Sequence, residues 1–149
     1  MPRKLPNRMY LMYKILIADN QLEWLKFSRQ VLESQEYDVI QAETVATLDR
    51  YLKENGYDLI LVNAELMRSE FREPIHRLFL RNADKPIIVI SVSSSTRETI
   101  RETRIAFKLG AKDCVDKPFS SERLLCLIQQ LLAEFAGHRV KQQGVLPCG

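Results

Sequence analysis

The run Lys14-Ile15-Leu16-Ile17-Ala18-Asp19-Asn20 sets the fold class of this chain. Its apolar core is too short for a helix, carries two β-branched isoleucines and stops on two polar side chains, which marks a strand buried on both faces. Downstream, Leu22 to Gln35 places Trp24, Phe27 and Val31 at helical spacing, with Leu25 and Leu32 beside them. The same alternation then repeats. Asp38-Val39-Ile40 reads as a strand, and Thr44 to Glu54 as a helix capped by Thr44 and stopped at Asn55-Gly56. Leu59-Ile60-Leu61-Val62 is a strand ending on Asn63, followed by a loop and helix over Glu65 to Arg81 with Pro74 in the first helical turn. Ile87 to Ile90 is a strand ending on Ser91, and Ser95-x-x-Glu98 forms a capping box for a helix that runs to Leu109 and stops at Gly110. Cys114-Val115 is a short last strand before Lys117-Pro118, and the final helix covers about Ser121 to Phe135. Strict alternation of continuously apolar strands with helices predicts a parallel sheet covered on both faces, a doubly wound α/β domain.

Composition agrees with a single domain. The chain has 149 residues, 46% hydrophobic and 28% charged, which is ordinary globular usage and excludes collagen, long disorder and a disulfide scaffold. No stretch approaches 18 uninterrupted apolar residues, and the basic start (Arg3, Lys4, Arg8) lacks the run and cleavage site of a secretory signal. The net charge of +3 comes from the ends: three basic residues on 1–12 and two on 137–149, without acids, leave −2 for residues 13–136. A nucleic-acid-binding domain would gather Lys and Arg on a face of the fold, so this domain is not expected to bind nucleic acid, and no membrane contact is expected either. Cys114, Cys126 and Cys148 have no ligand spacing with each other or with His76 and His138, which predicts reduced thiols in a cytoplasmic protein and no zinc site.

In open parallel sheets, ligands bind outside the carboxyl ends of the strands. Those ends carry Asp19 and Asn20, then Asn63, Ser91 and Lys117. Any one of them alone is a solvated strand end. Together they predict a single patch holding a carboxylate, two amides, a hydroxyl and an ammonium.

With these residues in place, the sequence resembles the receiver domain of bacterial two-component response regulators over about residues 13–135. KILIADN (14–20) is similar to the family's first strand with its acidic pair, and DLILVNAELM (58–67) to the segment that carries the phospho-accepting aspartate. PIIVISV (86–92) resembles the strand ending in Thr or Ser, and GAKDCVDKPF (110–119) the Gly-Ala and Lys-Pro-Phe signature. The steps from Asp19 to Asn63 and from Asn63 to Ser91, 44 and 28 positions, agree with the family, while the 26 from Ser91 to Lys117 point to a longer loop before the fourth helix. The resemblance implies a flavodoxin-like fold of strand order 2-1-3-4-5, with a receiver at 13–136, a loose basic extension at 1–12 and a tail at 137–149.

Family chemistry uses an aspartate that takes a phosphoryl group, a magnesium ion held by that aspartate and the acidic pair, and a lysine and hydroxyl that absorb the remaining charge. Here Asn63 stands at the acceptor position and Asn20 replaces one acid of the pair. An amide cannot form an acyl phosphate. The resemblance therefore implies a degenerate receiver, not an enzyme, with no required cofactor and at best a weak magnesium site on Asp19 with Asn20, Asn63 and the Glu65 backbone; the Glu65 side chain either adds an oxygen there or points to solvent. Lys117 is then expected to pair with Asp19. Val92 stands where a small residue is usual, Met67 where a proline often ends the acceptor loop, and Ser91 and Cys114 occupy the two switch-like positions.

Receivers act by presenting a surface, and the resemblance implies a protein partner (a histidine kinase, another regulator, or a second copy as a homodimer) at the face of the fourth helix, fifth strand and fifth helix. Arg97, Arg101 and Arg104 form a basic stripe there, and with Glu98 and Glu102 at adjacent positions the same helix also reads as a solvated surface of mixed charge. In the last helix Leu124, Ile128, Leu131 and Phe135 make the core stripe, and Leu125, Leu127 and Leu132 widen it beyond one face, either packing under the neighbouring helix or forming a partner surface. Two other functions compete: a conventional phosphorelay receiver using Asp19 or Glu65, alone or as part of a larger transcriptional regulator, and an enzyme or cofactor binder of the same fold. The second lacks both G-x-x-x-x-G-K-[ST] and G-x-G-x-x-G after the first strand.

Overall fold

The computed structural model describes residues 13–136 apart from 55, 68–71, 82–85 and 92–96. Its elements run β1 (Lys14–Ala18), α1 (Leu22–Glu33), β2 (Asp38–Ala42), α2 (Val45–Glu54), β3 (Leu59–Asn63), a 3-10 turn (Ala64–Met67), α3 (Arg72–Arg81), β4 (Ile87–Ser91), α4 (Arg97–Leu109), β5 (Asp113–Asp116) and α5 (Ser121–Ala136). The five strands form one sheet in the order β2-β1-β3-β4-β5, and every pair is parallel.

The two-residue period of a strand divides the core. Ile15, Ile17, Leu59 and Leu61 point to one face, where they pack with Leu25 and Leu32 of α1 and Leu124, Leu127, Ile128, Leu131 and Leu132 of α5. Leu16, Ala18, Ile60 and Val62 point to the other, against Leu48 of α2, Leu78 and Phe79 of α3 and Ala106 of α4. All five residues of β3 are buried, which is why its sequence is continuously apolar up to Asn63.

Local signals explain most boundaries. The Thr44 hydroxyl accepts the Thr47 N–H at 3.1 Å, capping α2. At the end of α4, Ala111 N–H bonds Ala106 O and Gly110 N–H bonds Phe107 O, with Gly110 at φ +124°, a conformation that suits a residue without Cβ. The capping box at Ser95 lies outside the described residues. Helix α1 ends at Glu33, short of the expected Gln35, through the same pattern: Tyr37 N–H bonds Leu32 O, Glu36 N–H bonds Glu33 O, and Glu36 takes φ +65°. Helix α5 is capped by the Ser120 hydroxyl, which accepts the Arg123 N–H at 3.1 Å.

The partner-surface reading of α5 is corrected at Leu127 and Leu132, which are buried in the core as the alternative of packing under the neighbouring helix has it, while Leu125 packs half-buried against that core. The helix lies in the trough between the sheet and α1, and that setting covers more than one stripe of its surface. Phe135, assigned to the core stripe, is instead 39% exposed, with the Lys112 ammonium 5.5 Å from its ring centre. Cys126, half-buried on α5, is disulfide-bonded where a reduced thiol was expected, while Cys114 is in no disulfide.

Candidate functional site

Parallel pairing brings the C-terminal ends of the strands to one edge. Asp19 follows β1 directly, and its backbone N–H continues the ladder to Ala42 O at 3.1 Å. Asn63 is the last residue of β3, and Lys117 follows β5, joined to Pro118 by a cis peptide bond. Ser91 ends β4, one step past Ile90, which pairs in register with Asn63. Asp19, Asn63 and Lys117 are buried, an unusual combination that demands internal partners for each polar group.

Those partners are present. Lys117 Nζ lies 2.9 Å from Asp19 Oδ2, and the two side chains are 4% and 1% exposed, so this ion pair is shielded from water and from salt. Lys117 Nζ also donates to Gln21 Oε1 at 2.7 Å and sits 5.6 Å from the centre of the Trp24 ring. Asn63 Nδ2 donates to Asp19 Oδ1 at 2.7 Å and to Asn20 Oδ1 at 3.1 Å, while Asn63 Oδ1 accepts the Glu65 N–H at 3.1 Å. That last bond fixes the orientation of the amide: a backbone N–H only donates, so the oxygen of Asn63 must face Glu65 and its NH2 must face Asp19. Asn20 Nδ2 in turn donates to Glu65 Oε1 at 3.2 Å, and the Gln21 N–H donates to Asp19 Oδ1 at 2.9 Å.

The structure thus brings Asp19, Asn20, Asn63 and Lys117 together and adds three residues that the sequence left out of the patch or left undecided. The Glu65 carboxylate joins the network through Asn20, in addition to its backbone N–H. Gln21 and Trp24 both hold Lys117. Gln21 directly follows the polar pair and precedes α1, and its side chain does not cap that helix, which leaves it for Lys117. Trp24 extends the patch into an aromatic cluster, with Phe119 and Phe27 rings at 4.8 and 5.4 Å.

The remaining assigned residues lie elsewhere. Cys114 is half-buried in β5, its Sγ 3.9 Å from Asp116 Oδ1. Met67 closes the 3-10 turn, and Val92 lies outside the described residues. Arg97, Arg101 and Arg104 are exposed on α4. In the set expected around a metal, Asn63 presents N–H, not oxygen, to Asp19. Among the described residues no group of three His, Cys, Asp or Glu side chains is placed to hold a metal ion.

Comparison with known proteins places this geometry. The family model for the response regulator receiver domain matches residues 15–129. The response regulator ArlR of Staphylococcus saprophyticus is 34% identical over 122 residues, 81% of this chain and 53% of that protein. The nisin biosynthesis regulatory protein NisR of Lactococcus lactis is 29% identical over 119 residues, 80% of this chain and 50% of that protein. The chain therefore spans about half the length of these curated relatives. Among solved structures, a CheY-like receiver domain protein from Methanospirillum hungatei superposes with a TM-score of 0.75 at 22% identity, covering 85% of this chain and 98% of that one. The chemotaxis response regulator CheY4 of Vibrio cholerae gives 0.68 at 20% identity, with 81% and 99% covered.

Proposed function

The chain belongs to the response regulator receiver domain family, and on that premise we propose that it is a phosphorylation-independent protein-interaction module of a two-component pathway. One observation carries this: the side chain at the acceptor position is a fully buried amide whose NH2 is bonded to Asp19 and Asn20. No carboxylate stands there to take a phosphoryl group. Asp19, the nearest carboxylate, is buried and neutralised by Lys117. Glu65 is half-buried and engaged by Asn20.

The donor set also does not fit magnesium. A divalent hard cation needs several oxygen ligands, preferably anionic. Here the groups turned toward Asp19 are an amide NH2, a backbone N–H and an ammonium. No phosphoryl or metal step is derived for this pocket, and the module acts by what it presents and not by catalysis.

The proposed contact face is that of α4, β5 and α5. The exposed Arg97, Arg101 and Arg104 lie on α4 beside the exposed Ile100 and Phe107, a basic surface with apolar anchors suited to a protein partner such as a histidine kinase, another regulator or a second copy. Among the described residues no helix is long and apolar enough to cross a membrane, and a cytoplasmic site of action is proposed. Because the chain spans half of its relatives, its role as the receiver part of a longer regulator belongs to the same proposal. Hydrogen exchange over α4 and β5, measured with and without acetyl phosphate and magnesium, is expected to be identical. A donor-dependent change in protection there would contradict a phosphorylation-independent module.

A further inference from the structure

Resting on that reading, we infer that Gln21 and Asn63 are a matched pair of amides that closes the pocket without any ion, with Gln21 as the positioning residue for Lys117. At the centre of this pocket the Asp19 carboxylate faces the Lys117 ammonium, and each has more hydrogen-bonding capacity than the other can satisfy. Lys117 has three N–H groups. One meets Asp19 Oδ2 at 2.9 Å, one meets Gln21 Oε1 at 2.7 Å, and the Trp24 ring face lies 5.6 Å from the nitrogen. Asp19 Oδ1 takes the Asn63 NH2 and the Gln21 N–H. The second N–H of Asn63 goes to Asn20, and its oxygen is used by Glu65.

Among the described residues, the side-chain polar atoms of Asp19, Asn63 and Lys117 thus each have a partner supplied by the chain itself. Asn63 brings positive dipole to the carboxylate where a cation would otherwise be needed, and Gln21 brings negative dipole to the ammonium. A network satisfied in this way is strong in a low-dielectric site, and a divalent ion entering it would have to displace donors that repel it. The consequence is a permanent fastener joining the β1–α1 turn, the end of β3 and the β5–α5 loop, blind to magnesium and set independently of any signal.

The test is thermal unfolding in EDTA and in millimolar magnesium, together with manganese quenching of Trp24, the only tryptophan of the chain. The native chain is expected to keep the same Tm in both conditions and to show no saturable quenching. Gln21→Met, which keeps the side chain's length and removes its acceptor, is expected to lower Tm by roughly 4–10 °C in both. Asn20→Asp/Asn63→Asp is expected to unfold earlier in EDTA, to recover in magnesium and to gain saturable quenching. A native chain whose Tm rises with magnesium, or a Gln21→Met chain as stable as the native one, overturns the inference. These two chains decide it even where the double variant does not fold. Phosphorylation of the native chain would defeat the proposed function while leaving its magnesium response to be read, so the two failures are distinguishable.

Discussion

Asp19→Ala is expected to lower the stability of this chain by about 3–5 kcal/mol, because it leaves the Lys117 ammonium buried without its counter-charge. The two groups are 1% and 4% exposed, so water cannot replace the lost partner without opening the site. Removal also takes their shared acceptor, Asp19 Oδ1, from one N–H of the Asn63 amide and from the Gln21 N–H. Against a total of about 5–15 kcal/mol for a domain, this is a large fraction. The urea midpoint of the variant measures it. Asp19→Ala/Lys117→Met separates the cost of an orphaned charge from the value of the pair: with both charges gone, most of the loss should return. A double variant as unstable as the single one would mean that packing around Asp19, and not its charge, is what the substitution damages.

Leu127→Ala is expected to cost about 2–5 kcal/mol, the range for emptying a packed leucine site. Leu127 is 3% exposed and packs with the β1 and β3 isoleucines and leucines under α5. Replacing Arg97, Arg101 and Arg104 with glutamine should shift stability by no more than about 0.5 kcal/mol each, since all three are exposed. Denaturant unfolding of both variants draws the boundary between core and contact face. A Leu127→Ala chain with native stability would return that leucine to the surface.

The contrast between the two helix ends shows what a sequence can carry. Both α1 and α4 close with the same pair of backbone hydrogen bonds and one residue at positive φ. At α4 that residue is Gly110, so the stop was legible. At α1 it is Glu36, whose chemistry gives no sign of a left-handed backbone, and the helix was extended past its end. The strands were legible because a sheet buried on both faces leaves continuous apolar runs with polar residues at their tips. Helix α5 was harder. Leu127, Leu132 and Phe135 are similar in hydropathy, and only the position of α1 beside the helix decides that the leucines are covered and the phenylalanine is not.

In the pocket, the resemblance identified the residues that differ from the family, namely Asn20 and Asn63. It did not identify Gln21, because a glutamine after a polar pair has no spacing signature and its role exists only through Lys117, 96 positions away. The Glu65 carboxylate was undecided for the same reason, since its partner Asn20 is 45 positions distant. Departures from a pattern can be read in one dimension, whereas the compensations for them are contacts.

The most direct measurement is the intact mass of the native chain and of Asn20→Asp/Asn63→Asp after incubation with acetyl phosphate and magnesium. The native chain should remain unmodified while the variant gains one phosphoryl group. A native chain that itself gains a phosphoryl group would contradict the account at its centre.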